Sequence, residues 1–182
     1  MCAWVLGFPM TSRLKRHYGK GDLHFITFSC YRRLPLLETV HARDIFAQEL
    51  ARVRTETGFR LLGYVVMPEH VHLLMSEPKV GTPSETIQKL KQRVSRKIRG
   101  SESRGLFPPP SEDNGQPLRS FWQARFYDFS VYSEGKKKEK LNYMHANPVI
   151  RGLINQPMDW PWSSWSFYFG EETPLVQMDV GE

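Results

Sequence analysis

Cysteine is almost missing from this chain. Cys2 and Cys30 are the only two among 182 residues. They lie far apart and in no metal-binding spacing, which excludes a disulfide-built scaffold and a cysteine-held zinc and suits a reducing cytoplasm. Long apolar runs are missing too: nothing approaches the ~18 to 20 residues that a membrane span needs. The opening MCAWVLGFPMTSRLKR is apolar before it is basic, the reverse of a secretory leader. No membrane partner is therefore expected, and the location reads as cytoplasmic. Acidic residues are in short supply, 19 against 25 Lys and Arg, giving a formal net charge of +6. Much of the excess is clustered, which favours a polyanionic partner. There is no internal repeat, and 182 residues with 40% apolar content suit one domain with one core.

What is present alternates strand and helix patterns. DLHFITFSCYRR is rich in aromatic and β-branched residues and predicts a first strand, with His24, Ile26 and Phe28 on one face and Phe25, Thr27 and Ser29 on the other. Val40, Ile45, Leu50 and Val53 then follow near-helical spacing up to Gly58, which predicts an amphipathic helix that stops there. FRLLGYVVM and HVHLLM read as two strands of a hairpin turned at Pro68-Glu69. A second helix starts at Thr82, with Pro83 at its first position and Glu85 completing a capping box, and carries the stripe Ile87, Leu90, Val94, Ile98. Residues 100–118 are loop by composition. FWQARFYDFSVYS gives a fourth strand, and EGKKKEKLNYMHANPVIRGL a third helix, expected to be interrupted near Asn147 by Pro148. The order β-α-β-β-α-β-α contains the split βαβ pattern of a ferredoxin-like or RRM-like α+β fold, an antiparallel sheet with helices packed on one face and the other left open.

The stretch MPEHVHLLM places His70 and His72 two residues apart on a strand, so both imidazoles leave the same face. That is half a metal site by geometry, though an isolated His-x-His is more often structural. Tyr143 and Asn147 are four apart on the third helix and share a face if it stays regular, with Lys136 and Lys140 extending the stripe. Taken alone, that tyrosine is ordinary core filler and Asn before Pro an ordinary terminator.

Together, the His-x-His after a Met-Pro turn, the basic middle helix, FWQARFYDF, YMHANPVIRGL and WPWSSW resemble the IS200-type single-tyrosine (Y1, HUH) transposase family, in particular its REP-associated tyrosine transposase branch, over about residues 18–168. The resemblance implies an RRM-like sheet bearing the histidine pair and a divalent metal, Mg²⁺ or Mn²⁺. It also implies a helix-borne tyrosine that cuts single-stranded DNA and keeps it as a 5′-phosphotyrosine. On that basis His70 and His72 are metal ligands, Tyr143 is the nucleophile, and Asn147 is the third ligand where better-known relatives often use glutamine. A phenol, ordinarily protonated at neutral pH, is a weak nucleophile, and a metal that withdraws charge from the phosphate assists it. The implied DNA is single-stranded with REP-like hairpins and a short flanking guide sequence, in a nucleoid-associated cytoplasmic setting. The implied organisation is a basic leader at 1–17, the nuclease domain at 18–155 and an aromatic tail at 156–182. A monomer is expected in preference to a homodimer.

Candidate DNA contacts are Arg13, Lys15, Arg16 and His17 before the first strand, Lys89, Arg93, Arg96 and Lys97 on the middle helix, and Lys136 and Lys140 on the third. Trp122, Phe126, Tyr127, Trp160, Trp162 and Trp165 are candidates to stack on unpaired bases, although the tail aromatics suit a packing strap better. The rival reading is a non-catalytic RRM-like nucleic-acid-binding module. A metal-dependent hydrolase comes third, because Leu73, Leu74 and Met75 directly after His72 provide none of the further acidic or histidine ligands that a two-metal site needs.

Overall fold

The computed structural model of the protein describes residues 18–102, 120–170 and 173–180. The leader candidates Arg13, Lys15, Arg16 and His17 lie outside the described residues, as does most of the 100–118 loop. Four strands form one antiparallel sheet in the order β2-β3-β1-β4: β1 Leu23–Ser29, β2 Leu61–Val66, β3 His70–Ser76 and β4 Tyr127–Val131. The hairpin between β2 and β3 closes where Met67 N–H donates to His70 C=O, so Pro68 and Glu69 make the turn.

The alternation along β1 separates two apolar layers. Ile26 and Phe28 join Val71, Leu73 and Met75 in a core under α1 (Val40–Thr57) and α2 (Pro83–Glu102), where Phe46, Leu50, Leu90 and Val94 are fully or nearly fully buried. Thr39 caps α1 by accepting from Ala42 N–H, and Gly58 ends it in the left-handed region at φ 69. The Thr82/Glu85 capping box opens α2 as expected. α2 runs on through Gly100 to Glu102, past the start of the expected loop, because Ile98 and Ser101 are still buried.

The opposite face is not left open. Phe25, Leu62, Val65 and Leu74 form a second apolar layer, and α3 (Glu134–Ile150) lies over its β2 and β3 side through Met144 and Leu141. A sheet apolar on both faces has to cover both. The close approach is made at Gly63, where a Cβ would come within 2.5 Å of Met144 Cε and 2.7 Å of Leu141 Cδ2. Contrary to expectation, α3 passes through Pro148 without interruption. It ends two residues later in a Schellman closure: Leu153 N–H donates to Pro148 C=O, Gly152 N–H to Val149 C=O, and Gly152 has φ 70.

The segment after Trp160 runs along the outer edge of β2. Val66 N–H donates to Trp162 C=O, Ser164 N–H to Tyr64 C=O and Asp179 N–H to Leu61 C=O, which covers an edge that would otherwise be open to pairing. A short helix α4 (Trp165–Phe169) follows. Among the described residues no helix is long and apolar enough to cross a membrane.

Candidate active site

His70 and His72 open β3 and point to the α3 side, because residues two apart on a strand share a face. Both are buried, and their Nε2 atoms meet at 3.0 Å. The other ring nitrogens are engaged elsewhere. His72 Nδ1 shares a 2.7 Å hydrogen bond with Thr27 Oγ1 of β1, the residue opposite it in the ladder. His70 Nδ1 lies 3.1 Å from Glu69 Oε1, and the same oxygen accepts from Arg151 Nη2 at 2.6 Å.

Because α3 stays helical through Pro148, Tyr143 and Asn147 share its inner face. Asn147 is buried, with Nδ2 3.2 Å from His72 Nε2. Tyr143 is 48% exposed, its ring edge-on to His72 at 5.3 Å and to Phe25 at 6.3 Å, while Phe25 itself stacks on His72. The phenol thus stands at the rim of the histidine pair with one side open to a substrate. One turn earlier, Lys140 Nζ sits 5.3 Å from the Phe25 ring and 5.2 Å from that of Phe129. Burial holds the His72 pKa well below that of a free imidazole, helped by the charges of His70, Arg33 and Lys140. His72 is therefore neutral at physiological pH and keeps a lone pair on one ring nitrogen.

The donor set fits a small oxygen- and nitrogen-seeking dication. Adjacent ligands of an octahedral ion at roughly 2.1 Å are about 3.0 Å apart, and the two Nε2 atoms are separated by 3.0 Å. Two neutral lone pairs facing one another at that distance repel unless a proton or cation lies between them. Asn147 supplies a third donor once its amide is turned so that Oδ1 faces inward, a rotation that exchanges two similar ends. Among the described residues no three His, Cys, Asp or Glu side chains form a metal-binding group, so an amide is the third ligand at hand.

The remaining candidates divide. Lys136 pairs with Glu139 on the exposed side of α3. On α2, Lys89 and Arg93 pair with Glu56 and Lys97 with Glu49, in the layer on the far side of the sheet from the histidines. Arg96 is exposed on that helix. Trp122 and Trp160 are buried core residues and offer no face to a base. Trp160 and Trp162 instead enclose Arg43, whose guanidinium carbon lies 4.8 and 3.9 Å from their rings. Arg33, Thr27 and Glu69 were missed by sequence reasoning. Arg33 stands in a short turn at φ 56, a conformation uncommon for a side chain of its size, and nothing in the local sequence announces it. Thr27 was visible on the correct face of β1, and only the strand pairing aligns it with His72.

Residues 18–147 match the family model described as "Transposase IS200 like". A REP-associated tyrosine transposase from Escherichia coli (strain K12) is 24% identical over 156 residues, covering 85% of this chain and 82% of that protein. A relative from Haemophilus influenzae is 27% identical over 157 residues, with 85% of each chain covered. A solved structure of a REP-associated tyrosine transposase bound to a REP hairpin superposes with a TM-score of 0.68 over 93% of both chains at 22% identity, which is a likeness of fold.

Proposed function

Because this chain belongs to the IS200-like transposase family, we propose that it cuts and rejoins single-stranded DNA beside REP-like hairpins through a 5′-phosphotyrosine at Tyr143, with Mg²⁺ or Mn²⁺ held by His70, His72 and Asn147. The observation that carries this reading is the convergence of two buried imidazole Nε2 atoms at 3.0 Å beneath a half-exposed phenol. A module that only binds nucleic acid gains nothing from burying two imidazoles face to face.

Tyr143 Oη bonds to phosphorus as it gives up its proton, and the bond from phosphorus to the departing 3′ oxygen breaks, that oxygen taking up a proton to become a free 3′-OH. One phosphate ester is exchanged for another, so a 3′-OH can later displace the phenol and reseal the strand. An ion held by His70, His72 and Asn147 would supply charge withdrawal from a non-bridging phosphate oxygen. His72, neutral through burial, keeps its lone pair available, and the Asn147 amide completes the oxygen and nitrogen donor set. Lys140, seated over two phenylalanine rings, offers a fixed cation to the DNA backbone one turn from the nucleophile. Lys136 and the α2 cluster supply general attraction, while the leader residues Arg13, Lys15, Arg16 and His17 are assigned to the flanking bases.

The test is a nicking assay on hairpin oligonucleotides labelled at either end, with Mn²⁺ or with EDTA. His72→Ala is expected to lower nicking by at least about 100-fold while hairpin affinity stays within a few-fold, since affinity comes from backbone and base contacts elsewhere. Nicking that proceeds equally in EDTA, or in His70→Ala and His72→Ala, would remove the metal from the proposal.

A further inference from the structure

We infer that Thr27 and Glu69 are positioning residues that keep both imidazoles turned with Nε2 inward, and that Arg151 holds Glu69 in place for that purpose. The inference rests on the metal-holding role proposed for the pair, and adds what makes the pair a site instead of two buried histidines.

An imidazole can bind through either nitrogen and can carry its proton on either, so a ligand ring has to be fixed in both rotation and tautomer. In this protein each ring has its outward nitrogen addressed by a different group. Thr27 sits directly across the ladder from His72 and places Oγ1 2.7 Å from Nδ1. A threonine on a strand has few side-chain rotamers, so the hydroxyl is held by the sheet itself. A proton on His72 Nδ1 pointing at that oxygen leaves Nε2 unprotonated.

Glu69 acts on the other ring from the hairpin turn. Its Oε1 is 3.1 Å from His70 Nδ1 and accepts from Arg151 Nη2 at 2.6 Å. The carboxylate is only 7% exposed, and a buried charge is retained where partners compensate it. His70 Nδ1 is itself buried, and Glu69 Oε1 at 3.1 Å is the acceptor within its reach. Arg151 caps the C-terminal end of α3, its N–H bonded to Asn147 C=O. Glu69 thereby ties the strand that carries the histidines to the end of the helix that carries Tyr143 and Asn147. Loss of Glu69 would release a ring and a helix end together.

The experiment measures Mn²⁺ affinity of the full chain by titration calorimetry and the imidazole tautomers of the metal-free chain by ¹⁵N-edited NMR. The variants are Thr27→Val, Glu69→Ala, Glu69→Gln and His70→Ala. In the metal-free wild type His72 should show the Nδ1-protonated tautomer, with His70 Nε2 donating to His72 Nε2. Thr27→Val and Glu69→Ala should each weaken Mn²⁺ binding by roughly 10- to 100-fold, and Thr27→Val should shift His72 toward the Nε2-protonated form. Glu69→Gln, which keeps an acceptor, should recover most of the affinity. Thr27→Val alters one buried hydroxyl and tests the inference even if Glu69→Ala does not fold. If His70→Ala abolishes binding but Thr27→Val and Glu69→Ala bind within two-fold of wild type with unchanged tautomers, the positioning role is wrong and the metal site stands. If His70→Ala binds as the wild type does, the site itself is wrong and the inference falls with it.

Discussion

Arg43 and the two tryptophans around it show how a single side chain turns an apparent recognition motif into architecture. Its Nη1 donates to the carbonyls of Leu37 and Glu38, and Trp162 Nε1 donates to Asp44 beside it. The indoles of WPW are spent on closing the chain over α1. Trp162→Ala should therefore lower unfolding free energy by about 2 to 3 kcal/mol, measured by urea denaturation, with little change in hairpin affinity. A large affinity loss without destabilisation would return Trp162 to the DNA.

His24 links folding to a proton. It is 1% exposed, with Nδ1 2.8 Å from Asp128 of β4 and Nε2 3.7 Å from Glu77 after β3, while Tyr18 and Ser84 complete the surroundings. Burial opposes the charge, yet the hydrogen bond to Asp128 and the charges of Asp128 and Glu77 prevail and raise its pKa above the usual 6.5. The folded state thus binds the proton more tightly than the unfolded one. Its contribution to stability is complete below the unfolded pKa and is lost as pH rises through the folded value. Melting temperatures taken from about pH 6 upward into the mildly alkaline range should fall more steeply for the wild type than for His24→Gln; parallel curves would show that the proton is not linked to folding.

Among the elements, α3 decides whether the site exists. It is set down on β2 at Gly63 and held by Asn147 to His72, Arg151 to Glu69, and His145 Nε2 to Ser164 Oγ at 2.9 Å. A methyl at position 63 has to displace the ends of Met144 and Leu141, and a shift of about 1 Å at a reacting group can cost as much as 100-fold in rate. Gly63→Ala should accordingly reduce the nicking rate by roughly ten-fold or more while circular dichroism still reports a folded chain; an unchanged rate would mean that the helix is not placed by this contact. Much of the scaffold could be read beforehand. The β1 alternation, the capping box of α2 and its stripe of Ile87, Leu90, Val94 and Ile98 are local signals, and the structure keeps them. The course of α3 through Pro148 could not be read in the same way. A proline removes the helical hydrogen bond to the carbonyl four residues earlier, here that of Met144, and because Pro148 stands so near the end the helix needs only the Schellman bonds to Pro148 and Val149 to close. Thr27, Glu69 and Arg151 were equally hidden, since their proximity to the histidines depends on pairing and docking between elements distant in sequence.

For the molecule as a whole, charge and chemistry are distributed unevenly about the sheet. Lys89, Arg93 and Lys97 face carboxylates of α1 in the layer away from the histidines, whereas Lys140 is on the side of Tyr143. Salt titrations of hairpin binding should show it: each cation has a carboxylate neighbour, Glu139 for Lys140 and Glu56 for Arg93, so the side of the sheet decides, and Lys140→Ala lowers the slope by roughly 0.7 to 0.9 while Arg93→Ala lowers it by clearly less. Equal effects would mean that the DNA wraps the α2 layer as well. A covalent bond between Tyr143 and DNA is revealed by incubating the full chain with Mn²⁺ and a hairpin oligonucleotide labelled on the 3′ side of the cut, then separating the products on a denaturing protein gel. The wild type should carry the label, with the attachment mapped by mass spectrometry to Tyr143, and Tyr143→Phe should carry none while still binding the hairpin; label retained by Tyr143→Phe, or cleavage without any protein-bound DNA, would contradict a phosphotyrosine at this site.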